Sequence, residues 1–360
     1  MTILFRVDAS IHIGSGHVMR CLALADYLKS AGHECIFLCR AHEGNLGDYI
    51  LNSGHQLYLF RNQKHLLCDG SYVGSNIHSK WLGVHWMSDV KESLDIIRAL
   101  EPQWLIVDHY ALANGWEAKV RPFVEKLMVI DDLADRKHEC DILLDQTFAR
   151  EAEDYAGKVP AHCKVLSGAQ YSILRQEFFK WRETSFRYRE TAKLSNILIN
   201  LGGVDKDNFT SRILMKLKYC ELPKTCTFTV VMGAQAPWIP NVKSIATEMP
   251  WKTKVRVGVR NMAKLMSNAD LAIGAAGSTT WERCCLGLPT IQLAIAKNQV
   301  FLAEKLQKAG VVKLANKLDQ LPNLLDTALN WMPTISKKCR LVTDGKGVER
   351  VVAKLAMKHS

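Results

Sequence analysis

The sequence contains no Cys-x-x-Cys pair, no Gly-x-x-x-x-Gly-Lys-Ser/Thr segment and no uninterrupted apolar run near the ~20 residues of a spanning helix. The first absence argues against a structural zinc site, the second excludes a P-loop ATP site, and the third argues against stable membrane insertion. The opening residues, Met1-Thr2-Ile3-Leu4-Phe5-Arg6, place no basic leader before an apolar stretch, so no secretory signal is expected. Acidic residues are in deficit: 36 Asp+Glu against 47 Lys+Arg leave a net charge of +11. That balance suits an anionic partner without choosing among nucleotide, nucleic acid and membrane surface. The sequence offers no reader motif and no basic–aromatic repeat, so a nucleic-acid partner is not expected. Eleven cysteines, odd in number and mostly within apolar runs, read as free thiols serving as small core hydrophobes in a reducing compartment. The expectation is a soluble, cytoplasmic monomer. At 360 residues, 48% hydrophobic and 23% charged, it should fold as about two domains.

What the chain does have is a steady alternation of short apolar strands and amphipathic helices. Strands are expected at 3–7, 35–38, 56–60, 104–107, 128–130 and 142–144, with a helix over 18–30 whose apolar face is Val18, Cys21, Leu22, Ala25 and Leu28. Asp89-x-x-Glu92 resembles a capping box opening the next helix. The charged, aromatic stretch 176–194 breaks the rhythm and reads as a linker. Strands then recur at 196–201, 227–231, 255–259, 271–273 and 290–293, with a helix over 209–217 and two more in the basic C-terminal tail. Such alternation demands parallel sheets covered on both faces. The fold class is therefore α/β, two Rossmann-like domains facing a cleft, divided as 1–190 and 191–360. Ligands of open α/β sheets bind beyond the carboxyl ends of the strands, so the loops there carry the functional information.

Six of those loops stand out. In Arg6-Val7-Asp8 through Gly14-Ser15-Gly16-His17, the glycines allow close backbone approach and the helix N-terminus offers N–H groups to an anion. His17 sits where the helix dipole favours neutral imidazole, the form a general base needs, and Arg6 and Asp8 are placed to line the same cleft. A glycine turn capping a helix explains the same residues more plainly. In Asp108-His109-Tyr110, Tyr110 either meets a sugar or phosphate oxygen or packs its ring. Asp131, Asp132 and Asp135 invite a metal reading, but no further acids complete a shell, so a turn is expected and no metal or other cofactor. In Gly202-Gly203-Val204-Asp205-Lys206-Asp207-Asn208, Gly203 makes room for phosphate or sugar, and Asn208 either caps the next helix or contacts ligand. Gly274-Ala275-Ala276-Gly277-Ser278-Thr279-Thr280-Trp281-Glu282 is the most informative. Small residues at Gly277, Ser278 and Thr279 suit a diphosphate, with Ser278 or Thr279 capping the helix and Glu282 within reach of a ribose diol. Asn298 and Gln299, after the strand ending at Leu293, suit sugar hydroxyls and amides or a helix cap.

Taken together and in order, these segments resemble a known family, the UDP-sugar hydrolases of pseudaminic acid biosynthesis. The resemblance rests on Arg6-x-Asp8 with Gly14-x-Gly16-His17-x-x-Arg20-Cys21, Asp108-His109-Tyr110 and Cys140-Asp141-Ile142-Leu143-Leu144. It continues through Tyr171-Ser172-Ile173-Leu174-Arg175-x-Glu177-Phe178, Gly202-Gly203-x-Asp205 and Asn298-Gln299. The segment from Gly274 to Glu282 is similar to the UDP-binding segment of the peptidoglycan N-acetylglucosaminyltransferase. The resemblance spans roughly residues 1 to 310. It implies a GT-B fold that removes UDP from UDP-2,4-diacetamido-2,4,6-trideoxy-β-L-altropyranose by water attack at the anomeric carbon, with inversion. It implies His17 as base, Asn208 and Glu282 as substrate-binding residues, and Tyr110 and Asn298 as cleft residues. A UDP-sugar-dependent glycosyltransferase of the same fold is the competing reading. The basic tail, with Lys337, Lys338, Arg340, Lys346, Arg350 and Lys354, lies beyond the resemblance and reads as a solvated helical face, with a membrane-surface patch as the weaker alternative.

Overall fold

The computed structural model describes residues 1–62, 77–191, 193–296 and 299–356. Two compact units emerge, one formed by Met1–Ile173 with the chain from Val348 onward, the other by Leu174–Gly347. In the first unit the strands are β1 (Thr2–Val7), β2 (Glu34–Arg40), β3 (Gln56–Phe60), β4 (Trp104–Asp108), β5 (Lys126–Ile130), β6 (Ile142–Asp145) and β7 (Lys164–Ser167). Its helices are α1 (Gly16–Ser30), α2 (Gly47–Asn52), α3 (Trp86–Leu100) and α4 (Asn114–Val120). The second unit begins with α5 (Gln176–Tyr188), β8 (Asn196–Asn200), α6 (Phe209–Leu217), β9 (Thr227–Met232), α7 (Ile239–Thr247) and β10 (Lys252–Val257). It continues with α8 (Met262–Ser267), β11 (Leu271–Ala275), α9 (Thr279–Cys285), β12 (Thr290–Leu293), α10 (Val300–Lys308), β13 (Lys313–Leu314), α11 (Leu321–Asp326) and α12 (Ala328–Cys339). The last helix, α13 (Gly347–Leu355), returns to the first unit.

Both sheets are parallel, in the orders β3-β2-β1-β4-β5-β6-β7 and β10-β9-β8-β11-β12-β13. The period of two along β1 sends Ile3, Phe5 and Val7 into one core with α1, and Leu4 into the opposite core with α3 and α4. Each sheet reverses its winding once, between β1 and β4 in the first unit and between β8 and β11 in the second. Those switch points set the loops after β1 and β4 side by side in the first unit, and those after β8 and β11 side by side in the second, each at the carboxyl edge of its own sheet, where such sheets bind ligands.

Several elements differ from the sequence expectation. Residues 176–188 form a helix rather than a linker. Arg182 is buried because its guanidinium donates to the Cys285 and Thr343 carbonyls (2.6 and 2.8 Å), and Ser185 donates to Leu286 O (2.7 Å). That helix belongs to the second unit, and α13 to the first, so the units do not divide at residue 190. Val348, Val351 and Leu355 bury one stripe of α13 in the first core, and Arg350 Nη1 donates to Gln170 O (2.9 Å). β10 starts three residues and ends two residues earlier than expected, and the short strands β7 and β13 carry too few apolar residues to announce themselves. Among the described residues the cysteines are free thiols, buried except for half-buried Cys163; Cys68 lies outside them.

Asp89 is not a cap. α3 starts at Trp86, with His85 Nδ1 accepting from Met87 N (3.2 Å), which leaves Asp89 inside the first turn and fully buried. Its carboxylate accepts from Arg6 Nε and Nη2 (3.1 and 2.7 Å), Arg40 Nη2 (2.7 Å) and Trp116 Nε1 (3.0 Å). Arg6 also grips Asp8 through two bonds (2.7 and 2.9 Å), and both residues are inaccessible. Burial alone would raise the Asp89 pKa, but Arg6 and then Arg40 hold it below the ordinary carboxylate value. This contribution to stability is therefore present above the unfolded-state Asp pKa and fades as pH falls below it. Asp89→Ala takes the shared carboxylate from two buried arginines, leaving Arg6 only Asp8 and Arg40 only Glu92 as carboxylate partners among the described residues, and should cost about 3–5 kcal/mol of stability. Glu92→Ala, which removes a partly exposed partner of Arg40, should cost at most about 1 kcal/mol. Chemical denaturation of the two variants checks this ordering, and equal losses would contradict the assignment of Asp89 as the hub.

Candidate active site

His17 occupies the first turn of α1, right after the loop that leaves β1. Its Nδ1 lies 2.6 Å from Asp108 Oδ1, at the carboxyl end of β4. A carboxylate facing Nδ1 places the ring proton there and leaves the Nε2 lone pair as acceptor. Asp108 is itself clamped: Arg20, one helical turn after His17, donates from Nε to Oδ2 (2.6 Å) and from Nη2 to Oδ1 (2.7 Å). Burial pushes the Asp108 pKa up, but the Arg20 charge, with His17 behind it, overrides burial and keeps the carboxyl well below its usual range. Arg20 Nη1 continues to Asp132 Oδ2 (2.5 Å), which also accepts from Tyr110 OH (2.8 Å). The five side chains make one closed network.

Aromatic rings frame the imidazole. Tyr110 packs edge-on against His17 with centroids 4.5 Å apart, and Trp81 stacks on Tyr110 at 5.7 Å. His78 touches both Trp81 and Tyr110. Tyr110 is therefore a wall beside His17 whose hydroxyl is spent on Asp132. Asp131 is a turn residue, accepting from Leu133 N, Ala134 N and Tyr155 OH and pairing with Arg136 (2.7 Å).

The other first-loop residues sit differently from the expectation. Arg6 and Asp8 do not line an open face; they are sealed in the Asp89 network, where Asp8 also takes Arg40 N (2.7 Å) and lies 3.2 Å from His109 Nε2. Gly14 has φ +86°, and Ser10 absorbs the N–H groups of His12 and Ile13 through its hydroxyl and that of Gly14 through its carbonyl. What remains for a ligand is the α1 N-terminus at Gly16 and His17. Its Ser15 makes no side-chain cap.

In the second unit, Asp205 takes the N–H groups of Phe209 and Thr210 (2.8 Å each), so the α6 N-terminus is occupied by the protein's own carboxylate. Asn208 holds the N-cap position at φ +53° without capping, and its Nδ2 donates to Asn241 Oδ1 (3.1 Å). Gly203 is a close-approach point: a Cβ on Gly233 would stand 2.0 Å from Gly203 O. Around the β11 loop, Ser278 holds the cap position of α9 without a side-chain bond, and Thr279 Oγ1 accepts from Arg283 Nη1 (3.0 Å). Glu282 lies 3.7 Å from Arg175, which also pairs with Glu177 (2.9 Å). Burial raises the Glu282 pKa against the pull of Arg175. Gln299 accepts from Ile295 N (3.1 Å), and its Nε2 would stand 4.0 Å from a Cβ on Gly277. The structure thus groups Gly277, Ser278, Thr279 and Gln299; Asn298 lies outside the described residues. A cavity of about 620 Å³ opens along α6 among Phe209, Arg212, Lys216, Leu293 and Lys317; Gly277, Ser278, Thr279 and Gln299 do not line it.

No family model matches the chain. It is 28% identical over 314 residues to the UDP-2,4-diacetamido-2,4,6-trideoxy-β-L-altropyranose hydrolase of Campylobacter jejuni, covering 86% of this chain and 97% of that one. The resemblance read from the motifs is therefore present along most of the sequence. Among solved structures, MurG of Acinetobacter baumannii aligns over 98% of both chains with a TM-score of 0.68 at 18% identity. The spinosyn rhamnosyltransferase SpnG complexed with thymidine diphosphate aligns over 99% of this chain and 100% of its own, with a TM-score of 0.68 at 14% identity. The chain has the GT-B fold. No helix among the described residues is long and apolar enough to cross a membrane.

Sequence reasoning singled out His17 and Tyr110 but missed Asp108, Arg20, Asp132 and Trp81 as its company. The available signal was Asp108 itself, an acid ending the apolar run Leu105-Ile106-Val107 at a strand's carboxyl end. In nitrogen-correlated NMR spectra, neutral His17 should appear as the Nδ1-protonated tautomer. Asp108→Asn, whose carboxamide turns either an oxygen or an NH₂ to the ring, should lose that preference; an Nε2-protonated wild type would contradict the geometry.

Proposed function

We propose that the chain is a UDP-sugar hydrolase in which His17 activates water. The observation that carries this reading is the buried His17–Asp108 pair, which fixes the tautomer of a general base and leaves Nε2 available. Water oxygen bonds to the anomeric carbon, the bond from that carbon to the diphosphate oxygen breaks, UDP carries away the electron pair, and Nε2 takes the water proton. Asp108 then faces the imidazolium and offsets its charge. The proposed substrate, by likeness to the Campylobacter jejuni relative, is UDP-2,4-diacetamido-2,4,6-trideoxy-β-L-altropyranose; attack by water from the face opposite UDP would invert the anomeric carbon. The rings of Tyr110 and Trp81 offer apolar surface suited to the methyl groups of such a sugar.

UDP belongs with the second unit in this reading. Gly277, Ser278 and Thr279 take the diphosphate, Glu282 the ribose diol, and Gly203, Asn208 and Gln299 lie alongside; Asn298 is assigned to the substrate by the family resemblance alone. Gly14 and Gly16 let the His17 loop approach the sugar, while Arg6 and Asp8 support that loop from behind. The reaction needs no metal or other cofactor, so EDTA should leave turnover unchanged.

A glycosyltransferase would use the same UDP residues but pass the sugar to an acceptor. Mass spectrometry of the reaction with and without an acceptor alcohol separates the two: free sugar and UDP at equal rates in both mixtures supports hydrolysis, and a glycosylated alcohol contradicts it. In the same assay His17→Leu should lower kcat by about 10²–10⁴-fold, the usual contribution of a general base, while UDP binding is retained. Near-normal turnover in His17→Leu would remove the mechanism.

A further inference from the structure

Beneath the loop that follows β11 lies a cation that makes no salt bridge among the described residues, although the charge of Glu282 acts on it from nearby. Arg283, on α9, is only 2% exposed. Its guanidinium donates from Nη2 to Ala275 O (2.7 Å) and Thr280 Oγ1 (3.2 Å), and from Nη1 to Thr279 Oγ1 (3.0 Å). All three acceptors are neutral. Glu282, its sequence neighbour, is turned toward Arg175 instead. Arg283 Nε is buried without a protein partner.

The strand makes room for this cation. A Cβ on Gly274 would stand 2.5 Å from Arg283 Nη1, so only glycine at that position admits the guanidinium. The sheet register sets Asn200 and Gln292 on either side of Gly274, and Asn200 Oδ1 and both amide atoms of buried Gln292 also lack protein partners. The floor under the loop is thus polar and positive. Its cover is thin, since Ala275, Ala276 and Gly277 have almost no side chain. Burial drives the Arg283 pKa down to about 10, the mark of a cation that the protein's own carboxylates leave largely uncompensated.

A buried, unpaired cation is costly, and that cost falls when an anion settles nearby. We propose that Arg283 is the positioning residue for the diphosphate: it fixes the Gly274–Thr280 loop through three hydrogen bonds and supplies positive potential to phosphates bound on the loop. The inference rests on the reading that this loop holds UDP. It adds the residue that makes the loop selective for the charged part of the nucleotide.

Calorimetry with UDP and ligand-observed NMR with uridine test it on the full chain. Arg283→Gln should weaken UDP about ten- to thirtyfold, the range for a pair of unit charges about 8–12 Å apart at an effective dielectric near 20. Uridine, which has no phosphate, should bind within about threefold of wild type. Arg283→Lys keeps the charge and should keep the UDP-to-uridine affinity ratio within about threefold of wild type, which carries the test should the Gln variant fail to fold. Equal losses for both ligands would show a structural role only and overturn the proposal, as would an unchanged UDP affinity in Arg283→Gln or a collapsed ratio in Arg283→Lys. Failure of the wild type to bind UDP would instead remove the parent reading of the loop.

Discussion

A single buried carboxylate organises the first unit's chemistry. Asp108 ends β4, is wholly inaccessible, and meets three N–H donors from one face of α1: two from Arg20 and one from His17. Because His17 and Arg20 are three residues apart on a helix, they stand on the same side and reach the same acid. Burying an ion is tolerable only when its hydrogen-bonding capacity is filled, and here the filling groups include the proposed base. Orientation of the imidazole and solvation of the acid are one interaction.

Behind that carboxylate lies a second ionic network, centred on Asp89. The two meet where β1 and β4 end side by side: His109, the residue after Asp108, stands 3.2 Å from Asp8, and Asp8 is held by Arg6, which Asp89 holds in turn. The register Val7↔Asp108 puts these residues in adjacent rows. Charged side chains thus brace the carboxyl edge of the sheet from within, which is why Arg6 and Asp8 are part of the motif yet inaccessible. The second unit uses a different device. At α6 its own Asp205 fills the helix N-terminus, whereas at the β11 loop a buried guanidinium takes the loop from below.

Much of this was legible in the sequence. Strands buried on both faces announce themselves as apolar runs, so the parallel sheets and their order of strands and helices follow from segments such as Ile3–Val7 and Leu271–Ile273, while the GT-B class came only with the family resemblance. His17 was legible because a glycine loop and a helix start flank it. Arginine was where the reading went astray. Arg182 looked like solvated linker but caps carbonyls in the interior, and Arg6 looked like a ligand contact but is half of a buried pair. Sequence shows a charge without its partner, and Asp89, 83 residues from Arg6, could not be matched to it by spacing. Asp89-x-x-Glu92 mimicked a capping box for the same reason. Asp205 was passed over because Gly203 and Asn208 drew the eye to a ligand, when the nearest anion was the loop's own aspartate.

The account stands on water, activated at His17, attacking carbon rather than phosphorus. Turnover of the UDP-diacetamido-trideoxy-hexose in ¹⁸O-water tests that claim most directly. The account predicts one heavy oxygen on the anomeric carbon of the released sugar and none in UDP. Heavy oxygen on the β-phosphate of UDP would contradict it, because the bond broken would then be phosphorus–oxygen and the base would serve a different attack.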